Sequence, residues 1–266
     1  MGSAAAWRTQ PLSHMDMLAR IRHQGDRINP LLQLPWIETK CFRPDWLHVA
    51  DLGVTADFIG NALKILEPLC PGPSRAARVS FLNIWMQDWY DRNHIEDRLN
   101  VLLPELFIQR NKGYKLRAGA AKSRVLVPWI DHVCQVLLPP DDPIYGAVRA
   151  AASCLGKVYG CLREDSFDAE VARDQSTRFA LLWMALHDAQ NGDDDAAWRL
   201  KPKLHMFLHM CSDGSRPARF WCYRDEEFGG GVARRARRRG GVLSAPSVSK
   251  TVLHRFWIQH PAFYMR

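Results

Sequence analysis

Apolar side chains recur at helical spacing through the middle of this 266-residue chain, and this feature constrains the fold most. Along one segment they lie at steps of three and four residues, on one face of an α-helix: Val79, Leu82, Trp85, Met86 and Trp89. Ser74 precedes that segment as a candidate N-cap. Further helices are predicted at 56–66, 118–138, 144–162 and 167–189. We therefore expect a mainly α fold, an irregular helical domain with at most a small β element.

Prolines and glycines predict where helices are short or broken. The first forty-four residues hold one short amphipathic stretch, around Asp16 to Ile21, followed by Asn29-Pro, Leu34-Pro and Arg43-Pro; this density of proline prevents long helices. Pro128 is expected to kink or split the helix predicted at 118–138. The sequence divides into a Pro-rich N-terminal arm (1–44), a helical body (45–190) and a basic C-terminal lobe (191–266).

The predicted C-terminal lobe begins with a turn or loop at 191–195. A helix at 204–210, a short strand at 220–223 and a helix from Asp225 through the arginine run should follow. Three glycines at 229–231 weaken this helix prediction and leave a loop or a broken helix as the alternative, because glycine is unfavourable in helix interiors. A final amphipathic helix is predicted at 247–259.

Positive charge is concentrated in the basic C-terminal lobe. Residues 201–266 contain thirteen Lys or Arg against four Asp or Glu, a net charge of +9, whereas residues 1–200 carry a net charge of −1. Such a local field attracts phosphate backbones. The expected nucleic-acid contacts are Lys201, Lys203, Arg234, Arg235, Arg237, Arg238 and Arg239, with DNA favoured over RNA.

Cysteine usage and hydropathy indicate the compartment. Seven cysteines without regular spacing or a CxxC pair fit a reducing environment. The N-terminus lacks the apolar core of a secretory signal, and no apolar run is long enough to span a bilayer. We expect an intracellular protein without a membrane partner, and the arginine run favours the nucleus.

Two histidine patterns are candidate sites. Asp45-x-x-His48 places a carboxylate and an imidazole on the same side of a helix or turn, where the acid can orient the ring or both can meet a metal or water; a helix cap beside a core histidine is the simpler interpretation. His205 and His209, four residues apart with Cys211 and Cys222 beyond, could bind a metal, but their spacing matches no zinc knuckle, and structural packing is favoured.

Asp225, Glu226 and Glu227 form the third candidate site. Carboxylates bind Mg²⁺ or Mn²⁺ in phosphodiester cleavage. Alternatively, these acids stabilise the start of a helix through its macrodipole.

Three phrases resemble the C-terminal part of the transposases of CACTA-type and Kyakuja/Plavaka-type DNA elements. They are Asp45-Trp-Leu-His48-Val-Ala-Asp51-Leu-Gly53-Val54, Lys203-Leu-His205-Met-Phe-Leu-His209 and Glu226-Glu-Phe228-Gly-Gly230. The phrase Trp-Cys-Tyr-Arg-Asp-Glu is also similar to phrases in multicopy proteins of dinoflagellates. The resemblance implies a remnant of an RNase H-like core with its helical insertion, in which Glu226 matches the glutamate of the catalytic Asp, Asp, Glu triad.

The chain departs from that family upstream of Asp45. The two triad aspartates lie there in the family, and Asp16 and Asp26 stand in no recognisable strand context. We therefore expect a transposase-derived, catalytically incomplete nucleic-acid-binding protein with a vestigial Glu226 and no cofactor. Two alternatives remain: an active Mg²⁺- or Mn²⁺-dependent nuclease completed by other acids, and a helical interaction scaffold with a nuclear-import tail.

Overall fold

The structure, a computed structural model, describes residues 13–23, 28–109, 113–163, 165–190, 197–237, 250 and 254, without the side chains at 40, 108, 109, 228, 232 and 234–237. The chain forms two compact units, Met1–Pro44 and Asp45–Arg266. The helical body and the basic lobe defined on the sequence therefore fall within the same unit. The sequence predictions at 191–195 and 238–239 concern residues outside this description, as does most of the helix predicted at 247–259, of which Lys250 and His254 are described and are helical.

The first unit contains only short helices in its described part. Helix α1 spans His14–His23, and two single 3-10 turns span Pro30–Gln33 and Thr39–Cys41. The Asn29 carboxamide oxygen caps the first turn by accepting a hydrogen bond from the Leu31 backbone N–H at 3.0 Å. The prediction that prolines keep this segment free of long helices is confirmed for the described residues.

The second unit begins with a π-helix, Leu47–Val54, that continues directly into α2, Thr55–Leu66. Lysine side chains bond two backbone carbonyls of this π-helix: Lys203 Nζ donates to His48 O at 2.7 Å, and Lys115 Nζ donates to Leu52 O at 2.5 Å. The predicted helix at 56–66 is confirmed, but the π-helical turns before it were not anticipated.

Six further helices lie in the described part of the second unit, and they confirm the predicted helical segments to within a few residues. They are α3 (Arg75–Arg92), α4 (Ala120–Leu137), α5 (Pro143–Gly160), α6 (Ala169–Ala189), α7 (Pro202–Ser212) and α8 (Tyr223–Arg237). The predicted cap is present, because the Ser74 hydroxyl accepts a hydrogen bond from the Ala77 backbone N–H at 3.2 Å. The Asp142 and Asp168 carboxylates cap α5 and α6 in the same way.

Local predictions had mixed outcomes. Pro128 does not split α4, which runs through it from Ala120 to Leu137. The helix predicted from Asp225 through the arginine run is confirmed as far as Arg237, because the glycines at 229–231 do not break α8. The strand predicted at 220–223 does not form, because Pro217–Phe220 is a 3-10 turn and Tyr223 starts α8.

The mainly α class is confirmed, and β structure in the described part of the chain is limited to one hairpin. Strands β1 (Phe107–Gln109) and β2 (Tyr114–Leu116) pair antiparallel, with Phe107 opposite Leu116. An RNase H-like core needs a multistranded sheet, so the described residues do not support the predicted RNase H-like remnant.

Helix α2 lies at the centre of the core, and most of its residues are buried. It packs on the π-helix, on α4 and on the hairpin, while α5 packs between α4 and α6 and α7 packs on α6 and the π-helix. Gly60 allows the close approach of the hairpin, since a Cβ at this position would lie 2.5 Å from Lys115 Cα. None of the helices in the described ranges combines the length and apolar character that a membrane span needs.

Candidate functional site

Asp45 joins two distant parts of the second unit. Its carboxylate accepts hydrogen bonds from the backbone N–H groups of Leu47 at 3.3 Å and His48 at 2.9 Å, which places it as the cap of the π-helix. Oδ1 also accepts the backbone N–H of Cys222 at 2.8 Å. One carboxylate thus holds the start of the π-helix next to the start of α8.

His48 lies between two carboxylates and a thiol. Its Nδ1 is 2.6 Å from Asp45 Oδ2 and 3.5 Å from Cys222 Sγ. Its Nε2 is 3.6 Å from Glu226 Oε1, and half of the His48 side chain is exposed. Asp45, His48 and Glu226 were all predicted as site residues, and the structure brings them together.

The surroundings shift two pKa values in opposite directions. Partial burial disfavours the charged form of Asp45, but hydrogen bonds from His48 and Cys222 outweigh it and lower the pKa of this carboxyl. Burial, together with the neighbouring carboxylates of Asp45 and Glu226, raises the pKa of the Cys222 thiol to about 11. Asp45 is therefore a carboxylate and Cys222 a neutral thiol near neutral pH.

Asp51 lies beneath the exposed site and is fully buried. Its carboxylate accepts hydrogen bonds from the Tyr159 hydroxyl at 2.6 Å and the Tyr223 hydroxyl at 2.7 Å. The Arg124 guanidinium lies 3.8 Å from Asp51 Oδ2. Burial raises the pKa of Asp51 to about 6, although the arginine and the tyrosine hydroxyls oppose this shift.

Arg124 also holds the segment that leads into α8. Its guanidinium carbon lies 4.2 Å from the ring centroid of Trp221 and 5.0 Å from that of Tyr223, within the range of cation–π attraction. Tyr223 thus contacts both Asp51 and Arg124. These contacts and the Asp45 hydrogen bond fix the first turn of α8 against the helical body.

Three lysines lie near the site with one carboxylate between them. Lys201 Nζ is 2.8 Å from Asp57 Oδ2, and Lys115 Nζ is 3.9 Å from Asp57 Oδ1. Partial burial lowers the pKa of Lys115, and the charges of Lys203 and Lys201 add to this effect. Since Asp57 is the one carboxylate that pairs with these lysines among the described residues, Lys115, Lys201 and Lys203 leave an excess of positive charge beside His48.

His205 and His209 do not join the group around His48. Their Nε2 atoms lie 2.9 Å apart on α7. Among the described residues, the group of His, Cys, Asp or Glu side chains that could hold a metal is instead Asp45, His48 and Cys222. Of the predicted arginines, positions 234, 235 and 237 lie in the last turns of α8, with side chains outside the description, and Arg238 and Arg239 are not described.

Sequence reasoning missed the role of four contributors: Arg124, Tyr159, Cys222 and Tyr223. Cys222 was considered only together with His205 and His209, and no spacing connects it to Asp45, 177 positions earlier. Tyr159 lies 108 positions after its partner Asp51. The tertiary fold, which places α5 and α8 against the π-helix, is what brings these residues together.

The arrangement can bind a cation or move a proton at His48. Asp45 at Nδ1 orients the ring, so that Nε2 faces Glu226 and solvent. No protein-family model, curated protein or solved structure matches this chain. The geometry of its own side chains is therefore what bears on its chemistry.

Proposed function

We propose that this chain is a transposase-derived, catalytically incomplete protein that binds nucleic acid through its basic C-terminal lobe, with DNA as the favoured partner. The observation that carries the proposal is the charge distribution: a net charge of +9 within residues 201–266 of a chain whose other residues carry −1. Salt-dependent counterion release favours the binding of a polyanion by such a local excess of charge.

The lysine cluster supports this proposal at the level of side chains. Lys201 and Lys203 project from the start of α7, and Lys115 joins them from the hairpin. Lys203 donates to the His48 carbonyl, which places the cluster next to the Asp45 and His48 site. Lys115 and Lys201 keep 43% and 35% of their side chains exposed, enough to approach a phosphate.

Helix α8 extends the basic surface away from the site. Its first turn is fixed by Tyr223 and Asp45, and positions 230, 234 and 237 follow Tyr223 and Glu226 on the same helix face. Position 237 lies about 16 Å along the axis from Glu226, at a rise of 1.5 Å per residue. The arginine positions therefore lie at one end of a helix anchored at the other, as in a phosphate-contacting helix.

The incomplete triad supports a protein that binds without cutting. Two-metal cleavage needs several carboxylates that share two ions. Asp45 and Glu226 both contact His48, but Asp45 already accepts three backbone hydrogen bonds. Asp51 is buried beneath two tyrosines. This set leaves too few accessible carboxylate oxygens for two Mg²⁺ ions.

The test is the salt dependence of DNA affinity. We expect the affinity of the full chain for a duplex to fall steeply between low and physiological salt. The slope of log K against log salt should flatten by about 1 for each phosphate interaction that a substitution removes. The variant changes all five arginines to alanine: Arg234, Arg235, Arg237, Arg238 and Arg239. Single-stranded DNA and RNA competitors establish the preferred nucleic acid.

A charge-matched pair of triple variants separates a local effect from a change in net charge. Arg234→Ala, Arg235→Ala and Arg237→Ala should weaken DNA binding. The control set removes the same charge from exposed helix surfaces of the body and should leave binding near the wild-type level: Arg92→Ala, Arg173→Ala and Arg178→Ala. Equal affinities for the two triple variants, or intact affinity after all five substitutions, would exclude the proposed surface.

A metal-dependent nuclease is the second candidate, and the contacts of His48 with both Asp45 and Glu226 favour it. It predicts Mn²⁺- or Mg²⁺-dependent nicking of supercoiled DNA that Glu226→Gln abolishes, with Glu227→Gln as the matched control. Uncut DNA across a full screen of metals would exclude this activity while leaving the binding proposal standing.

A further inference from the structure

Three side chains from two distant segments bring metal-ligating atoms to one point. The imidazole Nδ1 of His48, the carboxylate oxygen of Asp45 and the Sγ of Cys222 all lie within 4.8 Å of one another. Asp45 and His48 come from the start of the π-helix, whereas Cys222 directly precedes α8. Nitrogen, oxygen and sulfur donors of these types are the ligands that Zn²⁺ takes in proteins.

The contacts argue against a proton relay among these residues. In an Asp–His–nucleophile triad, the acid and the nucleophile contact opposite ring nitrogens. Here Asp45 Oδ2 and Cys222 Sγ both approach Nδ1, at 2.6 and 3.5 Å. Nε2, the nitrogen that a nucleophile would use in a triad, faces Glu226 instead, whereas a single cation in place of the Nδ1 proton can bind all three groups.

We propose that Asp45, His48 and Cys222 bind one divalent transition metal of the zinc type, with at least one further coordination position facing solvent. The thiol selects a borderline-soft ion over Mg²⁺, which prefers oxygen ligands alone. The half-exposed His48 ring leaves room for water or a phosphate oxygen as a fourth ligand. This inference goes beyond the proposed nucleic-acid binding and does not depend on it.

Metal binding would give Glu226 a different role from that of the catalytic glutamate, which the family resemblance implies for it. A metal on Nδ1 requires the ring proton to reside on Nε2, and the thiol proton of Cys222 leaves to solvent. Nε2 lies 3.6 Å from Glu226 Oε1, just beyond hydrogen-bond range, so a small approach of this exposed carboxylate would let it accept that ring proton. Carboxylate–histidine–metal arrangements of this kind orient the ligand, and Glu226 becomes a positioning residue rather than a metal ligand.

The metal would fasten the two segments that Asp45 already connects. Its bonds would add to the hydrogen bond between Asp45 and the Cys222 backbone, at the anchored end of α8. The arginine-bearing end of α8 would then project from a fixed point. Removal of the metal should loosen this anchor without removing any positive charge from the helix.

The experiment is a Co²⁺ titration of the full chain after treatment with a chelator. We expect one Co²⁺ per chain, a thiolate-to-cobalt charge-transfer band in the near ultraviolet, and displacement of the Co²⁺ by Zn²⁺. Cys222→Ser should abolish the band, and Glu226→Gln should weaken binding by about 10- to 100-fold while retaining the band. Cys41→Ser removes an exposed cysteine of the first unit and should change nothing.

A second readout needs no substitution and remains valid if Cys222→Ser fails to fold. Zn²⁺ should slow alkylation of Cys222 in the wild-type chain while leaving Cys41 unaffected, as read by peptide mass spectrometry. Equal alkylation of Cys222 with and without Zn²⁺ would overturn the proposal. So would Co²⁺ binding that survives Cys222→Ser but is abolished in His209→Gln, because it would place the metal on α7.

The DNA titrations of the wild-type chain, run with and without chelator, keep the two proposals distinguishable. Metal binding without DNA affinity would exclude only the proposed function, and DNA affinity without metal binding would exclude only this site.

Discussion

At the scale of single residues, Asp51 is, among the described carboxylates, the one whose charge is most disfavoured by its surroundings. It has no solvent exposure, and it lies against two tyrosine hydroxyls and one guanidinium. Its pKa is raised from 3.8 to about 6 because burial disfavours the ionised form. Between these two pH values the folded chain keeps a proton that the unfolded chain has released.

Stability should therefore fall as the pH rises from about 4 to about 6, by on the order of 3 kcal/mol for this group. Asp51→Asn cannot ionise, so its free energy of unfolding should lack this fall, whatever its absolute value. Urea unfolding across this pH range measures the difference. Asp88→Asn, on the surface of α3, is the control and should keep the wild-type slope; an unchanged slope in Asp51→Asn would show that other groups cause it.

The residues of the site differ in how far the sequence could predict them. The three-residue spacing of Asp45 and His48 was sufficient to predict their contact, because helices and turns bring such pairs together. Glu226 was selected through family resemblance. Cys222, by contrast, was considered only with the histidines of α7 and Cys211, and its actual neighbour is His48, which local spacing cannot reveal.

At the scale of elements, α4 tolerates a proline in its interior. Pro128 is exposed and lacks the backbone N–H that would bond the Arg124 carbonyl four residues earlier. The buried residues around it include Leu126, Val127, Trp129 and Ile130. Burial of this apolar stripe outweighs the missing hydrogen bond, which explains why the predicted split does not occur.

Replacing Pro128 should therefore stabilise the protein. Pro128→Ala restores one backbone hydrogen bond and a favourable helix residue, and we expect the free energy of unfolding to rise by about 1–3 kcal/mol. Thermal and denaturant unfolding measure this change. Pro143→Ala is the comparison, because proline at the first position of α5 lacks no helical hydrogen bond; an equal gain in both variants would contradict the explanation.

The same competition accounts for the intact helix α8 and for the strand that does not form at 220–223. The helical face that carries Tyr223 and Glu226 is held by contacts to Asp51, Arg124 and His48, so three glycines do not break α8. Phe220 and Tyr223 have bulky aromatic side chains, which are typical of strands, yet no neighbouring strand is present in the described region to pair with them. Tertiary contacts overrode local propensity at both positions.

At the scale of the whole molecule, an aromatic cluster joins helices that are far apart in sequence. Phe179 of α6 lies 5.4 Å from Phe58 of α2, 5.6 Å from Trp183 and 5.9 Å from Phe207 of α7, measured between ring centroids. Trp198 packs against Phe58 and Trp183 as well. The aromatic richness of the sequence thus serves the core here.

Removing the central ring should destabilise the whole second unit. Phe179→Ala deletes a fully buried side chain and should lower the free energy of unfolding by about 3–5 kcal/mol. Phe81→Ala, at a partly exposed position of α3, should have a much smaller effect. Chemical denaturation of both variants measures the two changes, and similar decreases would show that Phe179 is not central to the core.

The helical class and most helices of the molecule could be predicted, because they depend on spacing within one segment. The meeting of the π-helix with α8 could not, because the contact between Asp45 and Cys222 spans 177 positions. No pattern in either segment indicates the partner. The contacts that α4, α5 and α7 make with the π-helix bring the two segments together.

The hydrogen bond between Asp45 and the Cys222 backbone also affects the order in which the chain folds. Closing so long a loop is entropically unfavourable until intervening contacts shorten it. Local helices and neighbouring helix pairs should therefore form first, and the Asp45 to Cys222 contact should be among the last made. An incompletely folded chain, or a nascent chain still lacking α8, would carry the lysines and the aromatic core but no assembled His48 site.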